Sequence, residues 1–481
     1  MTRGNIVRGA IATAIALVAI AFGFRGIHRE VPAVAPLASA SFSSSPVSSP
    51  SSAPASRPEA RPAAGPPTAA DSRGFLYGRV TTLDGAAYEG RLRWGGSEEA
   101  FWSDFFNGAK HENPWLAKVP ADRRPMERHP LSIFGFEILQ RERPSDVVRP
   151  FMAPFGELAR IEAHDDKVRV TLKSGSDFEL ERFDASDFDD GVRVWDGKRG
   201  VVDLDSLRIR SIELLPTPLL DASSDLPLRL HGTVRTRQGN FSGFVAWNRE
   251  KSVGSDELRG RRAAGELRLR LDAVRSLARA AAQGSRVTLL DGREIALTGS
   301  ADVGDGNRGI YVDDPRYGRV LVSWEAFERV DFSPAGEHGS GPAYGDFPAG
   351  GPIVGSVTTR DGRRLAGRIV YDLDESATTE TLDAPSQGVD YSIPFGSIAA
   401  IAAGASGTLP GGDEAGVQHF LVILHDGTEL TLEPAGDLGE GNAGLLLFVA
   451  GSERPEYVTW GEVERLDLDR PPTVAPPLGG L

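Results

Sequence analysis

Two short stretches of this 481-residue chain bring side-chain oxygens to a spacing that could hold a cation. Asp302, Asp305 and Asn307 form one, Asp437, Glu440 and Asn442 the other, both in the pattern D-x-x-[DE]-x-N. Ca²⁺ takes about six to eight oxygen ligands, and a loop of this kind supplies several. The spacing is not that of an EF-hand, and a third related stretch carries Asp187, Asp189 and Asp190 instead. A solvated turn capped by its own side chains accounts for the same pattern. Calcium is the one cofactor left open, and no other is expected. The same stretches contain Gly304-x-Gly306-x-x-Gly309 and Gly439-x-Gly441-x-x-Gly444. These are not dinucleotide sites: strand-like sequence follows each, so no helix N-terminus awaits a pyrophosphate. Asp305 and Glu440 would repel phosphate.

A second set of candidates is aromatic. Trp94, Trp247 and Tyr371 recur at matched places. Such rings could stack on sugars, but they fit better as one residue per unit filling a barrel core or an inter-barrel seam. Trp115, in a proline-rich stretch, is a fourth candidate for ligand contact. Asp104, Asp256 and Glu380 also match one another. An active site needs partners in different roles, so a repeating acid reads as a turn cap. The eight histidines show no zincin spacing, and nucleophile-elbow, Walker A and kinase motifs are missing from the sequence. With no cysteine, thiol nucleophiles, Cys-zinc sites, iron–sulfur clusters and disulfide frameworks are excluded.

The elements that must position these residues come from an internal repeat. Gly78-RVTTLDG, Gly232-TVRTRQG and Gly355-SVTTRDG each lead through a turn to a second alternating run (YEGRLRW, FSGFVAW, LAGRIVY). Asp-Gly between alternating runs is a hairpin signal. These A units alternate with B units opened by VRVTLKSG, SRVTLLDG and FLVILHDG. All six units close on residues three apart: Phe155/Leu158/Ile161, Ser206/Ile209/Ile212, Leu271/Val274/Leu277, Trp324/Phe327/Val330, Phe395/Ile398/Ile401 and Trp460/Val463/Leu466. That period fits one 3₁₀ turn leading into a last strand.

Four extended segments, a 3₁₀ turn and a final strand resemble an SH3-like or Sm-like small barrel. The expected fold is therefore all-β: six such barrels in three A–B pairs spanning 74–218, 226–334 and 350–470, with a tail at 471–481. A six-bladed β-propeller is the alternative. The first repeat is longer, which marks an insertion over residues 109–149, read as a loop folded over the first barrel or as a binding loop.

Residues 1–30 contain an uncharged apolar run, Gly9 to Phe24, bracketed by Arg8 and Arg25. It is expected to be an N-terminal membrane anchor, or else a signal cleaved to leave a secreted or periplasmic chain. Alanine, serine and proline fill thirty of the forty positions 31–70, which makes 31–73 a disordered spacer. Net charge is −14; residues 1–73 carry seven arginines against three acids, leaving −18 on the remainder. Such a body repels polyanions, so nucleic acid is not an expected partner. Anchor, spacer and acidic body resemble in layout a bacterial envelope protein with its body outside the cytoplasm. The function expected is non-catalytic binding of a protein or envelope polymer. Glycan or peptidoglycan binding, and hydrolysis using His111 or His129, are the alternatives.

Overall fold

The computed structural model describes residues 72–471 apart from 96–97, 103–104, 125–131, 134–135, 138–148, 183–184, 220–225, 227, 281–283, 335 and 405–418. The apolar run at 9–24 and most of the spacer lie outside this range. Contacts divide the chain into Met1–Ala63, outside the described residues, and Ala64–Leu481, which holds all three repeats. Among the described residues no helix is long and apolar enough to cross a membrane.

The body is all-β. Repeat 1 contains β1 (Tyr77–Thr82), β2 (Ala87–Trp94), β3 (Phe105–Lys110), β4 (Ser132–Ile133), β5 (Phe136–Glu137), β6 (Arg149–Pro154), β7 (Leu158–His164), β8 (Lys167–Leu172), β9 (Asp177–Glu181), β10 (Val192–Asp196), β11 (Gly200–Leu204) and β12 (Ile209–Leu214). Repeat 2 contains β13 (His231–Thr236), β14 (Asn240–Ala246), β15 (Glu257–Arg262), β16 (Gly265–Arg270), β17 (Val274–Ala280), β18 (Gly284–Leu289), β19 (Glu294–Thr298), β20 (Ile310–Asp314), β21 (Gly318–Val322) and β22 (Phe327–Phe332). Repeat 3 contains β23 (Val354–Thr359), β24 (Arg364–Val370), β25 (Thr381–Ser386), β26 (Val389–Pro394), β27 (Ile398–Ala403), β28 (Phe420–Leu424), β29 (Glu429–Leu432), β30 (Leu445–Phe448), β31 (Glu456–Val458) and β32 (Val463–Leu468). The hairpin turns form where Asp-Gly places them: Gly85 and Gly362 both sit at φ +84°, a region that glycine enters without the Cβ clash other residues meet.

Strand pairing corrects the expected partition into units. The first hairpin of an A unit does not join the rest of that unit. In repeat 2 the hydrogen-bonded order is β16-β15-β19-β18-β17-β22-β13-β14-β20-β21. One five-stranded group, β22-β13-β14-β20-β21, combines the A hairpin with the last three B strands. The other, β17-β18-β19-β15-β16, combines the B hairpin with the last three A strands. Each group runs 5-1-2-3-4 if the hairpin supplies strands 1 and 2. The two halves have exchanged hairpins, and they meet where β17 pairs with β22. Repeats 1 and 3 follow the same scheme, with β7 on β12 and β27 on β32. There β3–β6 and β25–β26 pack beside β9 and β29. The resulting sheets have eight, twelve and eight strands in orders that cross between units, not the separate four-stranded blades of a propeller.

The sequence carries a steric reason for the exchange. Gly90, Gly243 and Gly367 lie at the same place in the second strand of the three A units. At each, a Cβ would collide with a backbone carbonyl of a B-unit segment, that of Trp195, Asp313 or Phe448. The closing triplets also behave alike. Short 3₁₀ turns begin at Phe155, Ser206, Leu271, Phe395 and Trp460, and a turn at Trp324; a strand follows each. The second and third members of every triplet are buried. The eclipsed i, i+3 geometry of the turn thus drops successive side chains into one core.

Repeats also join one another. β21 of repeat 2 pairs with β26 of repeat 3, Arg319 opposite Ser392, so that one sheet crosses the boundary. The Tyr344 hydroxyl, on the segment between repeats 2 and 3, donates to the Leu158 carbonyl of repeat 1 at 2.8 Å. Among its described residues, the insertion reaches past its own repeat to repeat 3. Leu116 and Val119 pack against Val370, Leu373, Ala443, Leu446 and Tyr457 of repeat 3. Repeat 3 offers an apolar seam there, and burying it is favourable for both partners.

Candidate functional site

The two sets of residues singled out above meet in one device, repeated along the chain. In repeat 2 the Trp247 indole Nε1–H donates to the backbone carbonyl of Asp302 at 2.9 Å. The Asp302 carboxylate accepts from the amide of Arg259 at 2.7 Å and is ion-paired with the Lys251 ammonium. In repeat 3 the Tyr371 hydroxyl donates to the Asp437 carbonyl at 2.8 Å, and the Asp437 carboxylate accepts from the amide of Asp383 at 2.6 Å. Arg259 and Asp383 are both the third residue of the equivalent strand. Each device ties an A-unit strand to a B-unit turn. It buckles the exchanged halves together.

This geometry displaces the calcium reading. Asn307 and Asn442 turn their side-chain oxygens onto the amides of Gly309 and Gly444, at 2.9 and 2.8 Å. Asn442 also donates to the Asp437 carbonyl at 2.7 Å. Asp305 and Glu440 point outward and are exposed. The oxygens expected to converge on an ion serve amides and a lysine, and among the described residues no group of acids and histidines is arranged to hold a metal. For Asp187, the counterpart in repeat 1, the side chain lies outside the described residues.

The aromatic platform is likewise displaced. Trp94, Trp247 and Tyr371 are each 0% exposed, which leaves no face for a sugar. They pack on the first or second residue of a closing triplet. Trp94 lies 5.0 Å from Phe155, Trp247 5.3 Å from Phe327 and Tyr371 5.1 Å from Phe395, ring centre to ring centre. Trp115 is half-buried and meets Phe448 edge-on at 6.0 Å. Asp256 accepts from the Val253 amide, and Glu380 from the amides of Ser376 and Ala377, as turn caps do. Asp104 and His129 lie outside the described residues.

The densest set of titratable groups lies where repeat 1 meets repeat 3, and sequence reasoning missed it. Lys110, at the end of β3, reaches Asp374 at 2.6 Å and Glu380 at 3.7 Å. Arg149, opening β6, is paired with Asp372 at 3.2 Å, and both are buried. Asn113 donates to the Leu373 carbonyl at 3.0 Å. The acids outnumber the two cations, and burial drives several of them toward the neutral form. Burial raises Asp372 to about 6 against the pull of Arg149. It raises Asp383 to about 6 and pushes Glu375 and Asp437 well above the usual carboxylate range. Nearby Glu157 is raised to about 8 by burial, while burial lowers Lys173 to about 8. Desolvation disfavours the charged form of each group, which is why acids rise and the lysine falls. The one signal in sequence was the acid run Asp372-Leu373-Asp374-Glu375, which reads by itself as a solvated turn.

Comparisons with protein-family models, curated proteins and solved structures found no match for this chain.

Proposed function

We propose that this chain is a non-catalytic scaffold of the cell envelope that binds a protein partner. In this reading six SH3-like barrels form three intertwined A–B pairs. Residues 1–30 anchor them in a membrane, and the spacer at 31–73 holds them outside the cytoplasm. The 5-1-2-3-4 strand order with a tight turn before the last strand supports the barrel assignment. The carrying observation is what the chemistry-bearing side chains do. The matched aromatics, Asp302, Asp437 and the Lys110/Arg149 pairs are all consumed in joining halves or repeats. A body so braced suits holding a partner at a fixed distance and orientation. Fold alone does not dictate function, so the test must be direct.

The full-length chain, produced in a bacterium, is fractionated and probed with protease added outside the cytoplasmic membrane. The expected result is a membrane-bound chain whose body is digested from outside, with no retention on purified peptidoglycan. Recovery from the cytosol, or saturable binding to peptidoglycan, contradicts the reading.

A further inference from the structure

One strand position in this fold accepts a further strand, and the chain itself shows how. β16 and β26 hold the same place in repeats 2 and 3: each is the last A-unit strand before a closing triplet, Leu271/Val274/Leu277 in one and Phe395/Ile398/Ile401 in the other. β26 has β25 on one side. On its other side lies β21 of the preceding repeat, antiparallel, with Val320 opposite Tyr391 and Val322 opposite Val389. β16 has β15 on one side and ends its sheet on the other. The counterpart in repeat 1, β6, carries Pro150 and Pro154, as suits an edge that accepts nothing. β16 contains no proline, and among the described residues no strand pairs with its outer edge.

Two rows of side chains line that edge. On the inner face Leu267 and Leu269 are half-buried at the rim of the hydrophobic core. On the outer face the β15–β16 ladder presents three opposed pairs, Glu257 with Arg270, Arg259 with Arg268 and Arg261 with Glu266. The side chains of Arg259, Arg268 and Arg270 are 60–64% exposed. Glu257 lies 3.7 Å from Arg259 and 3.5 Å from Arg268, so one carboxylate serves two opposed cations. Arg261 is paired with Glu266, and Arg270 with Asp272. Like charges directly opposite one another in a ladder are destabilising. Residues 257–280, from β15 through β17, carry seven arginines against three acids, a local +4 in a chain of net −14.

We propose that β16 is a docking edge for an extended acidic segment of a partner protein, which adds to the sheet as an antiparallel strand. Alternate apolar residues of that segment continue the core past Leu267 and Leu269. The intervening Asp or Glu residues stand against Arg268 and Arg270. The backbone ladder supplies attachment and the two side-chain rows supply selectivity, as β21 and β26 already do for each other within the chain. The proposal rests on the protein-binding reading above and gives the partner its chemistry. Strand capture is measured in solution, so recovery of the chain from the cytosol would sink the envelope anchor and leave the docking edge standing.

The test is fluorescence anisotropy with the full-length chain in detergent at neutral pH and a short labelled peptide alternating valine and glutamate. Saturable binding is expected. A valine–lysine peptide is expected to bind about tenfold more weakly or worse, because it meets the arginines with like charge. The same loss is expected for the valine–glutamate peptide with its amides N-methylated, which keeps the charge but cannot form the ladder. Arg268→Glu, an exposed change on the outer face, is expected to weaken the valine–glutamate peptide about tenfold with β content unchanged. No saturable binding, equal binding of the lysine or the N-methylated peptide, or unaltered binding by a folded Arg268→Glu chain overturns the proposal. Binding to phosphatidylglycerol vesicles without binding of the peptide assigns the arginines to a lipid surface and overturns it as well. The peptide comparisons use the wild-type chain, so the result stands even if the Arg268→Glu variant fails to fold.

Discussion

The Trp247 indole and the Asp302 carbonyl, 55 residues apart in sequence, are joined by a 2.9 Å hydrogen bond with both partners buried. Tyr371 and Asp437 repeat the relationship 66 residues apart. An A-unit strand end is thereby pinned to a B-unit turn. Tyr371→Phe removes only the hydroxyl; the Asp437 carbonyl keeps its bond from Asn442, so the loss is that of one hydrogen bond, roughly 0.5–1.5 kcal/mol. Chemical denaturation of the full chain should show that loss without a change in β content.

Lys251 supports the same buckle in repeat 2. Its side chain and that of Asp302 are both largely buried, so the pair cannot be replaced by water. Lys251→Met leaves the carboxylate with only the Arg259 amide. Breaking one side of a buried pair costs about 3–5 kcal/mol. A double variant, Lys251→Met with Asp302→Asn, should recover part of the loss in the same denaturation experiment, because no buried charge is then left alone.

The glycines under the exchanged strands give a steric prediction. Gly243→Ala forces a methyl against the Asp313 carbonyl in the neighbouring strand. The paired backbones cannot yield, and overpacking of this kind costs roughly 1–3 kcal/mol. Gly362→Ala meets no neighbour but must hold φ +84°, which costs about 1 kcal/mol. Thermal melts of the two variants should rank Gly243→Ala as the more damaging.

The pH dependence has a definite sign. Glu157 is raised from the ordinary carboxylate range to about 8 by burial, so the folded chain binds its proton more tightly than the unfolded chain does. That contribution to stability is fully present at about pH 4 and is lost as pH climbs toward 8. Lys173, lowered to about 8, acts in the opposite sense: stability is regained as pH rises from 8 toward the ordinary lysine value. Glu157→Gln should therefore leave the melting temperature unchanged near pH 4.5 and raise it near pH 8, in melts across that range.

The periodicities legible in sequence were those that depend on one strand at a time. Alternation in β1 and β2, the Gly85 turn and the triplet Phe395/Ile398/Ile401 all reflect which face a residue presents. The choice of partner was not legible. β7 and β12 carry the same closing pattern, so either could have offered an edge to β1; register and face are encoded locally, but the partner is settled by the whole assembly. The site residues were legible one set at a time, as core aromatics and turns capped by their own side chains, but not as joined pairs. Trp247 and Asp302 were read as separate matched sets, although each occurs once per repeat, and that shared count was the clue that they belong together. The junction of Lys110 with Asp374 joins residues far apart in different repeats, and no spacing rule reaches that far.

Hairpin exchange is the claim on which the rest stands, and the absence of native cysteine makes it directly measurable. Arg79 on β1 lies opposite Glu213 on β12, and both side chains are about half exposed. Directly opposed residues on antiparallel strands are close enough for a disulfide. The Arg79→Cys/Glu213→Cys chain should oxidise to an intramolecular disulfide while Arg79→Cys/Glu162→Cys, which β12 keeps apart, stays reduced. Bridging of the 79–162 pair with the 79–213 pair left as free thiols would mean that each A unit closes on itself, and would contradict the exchange.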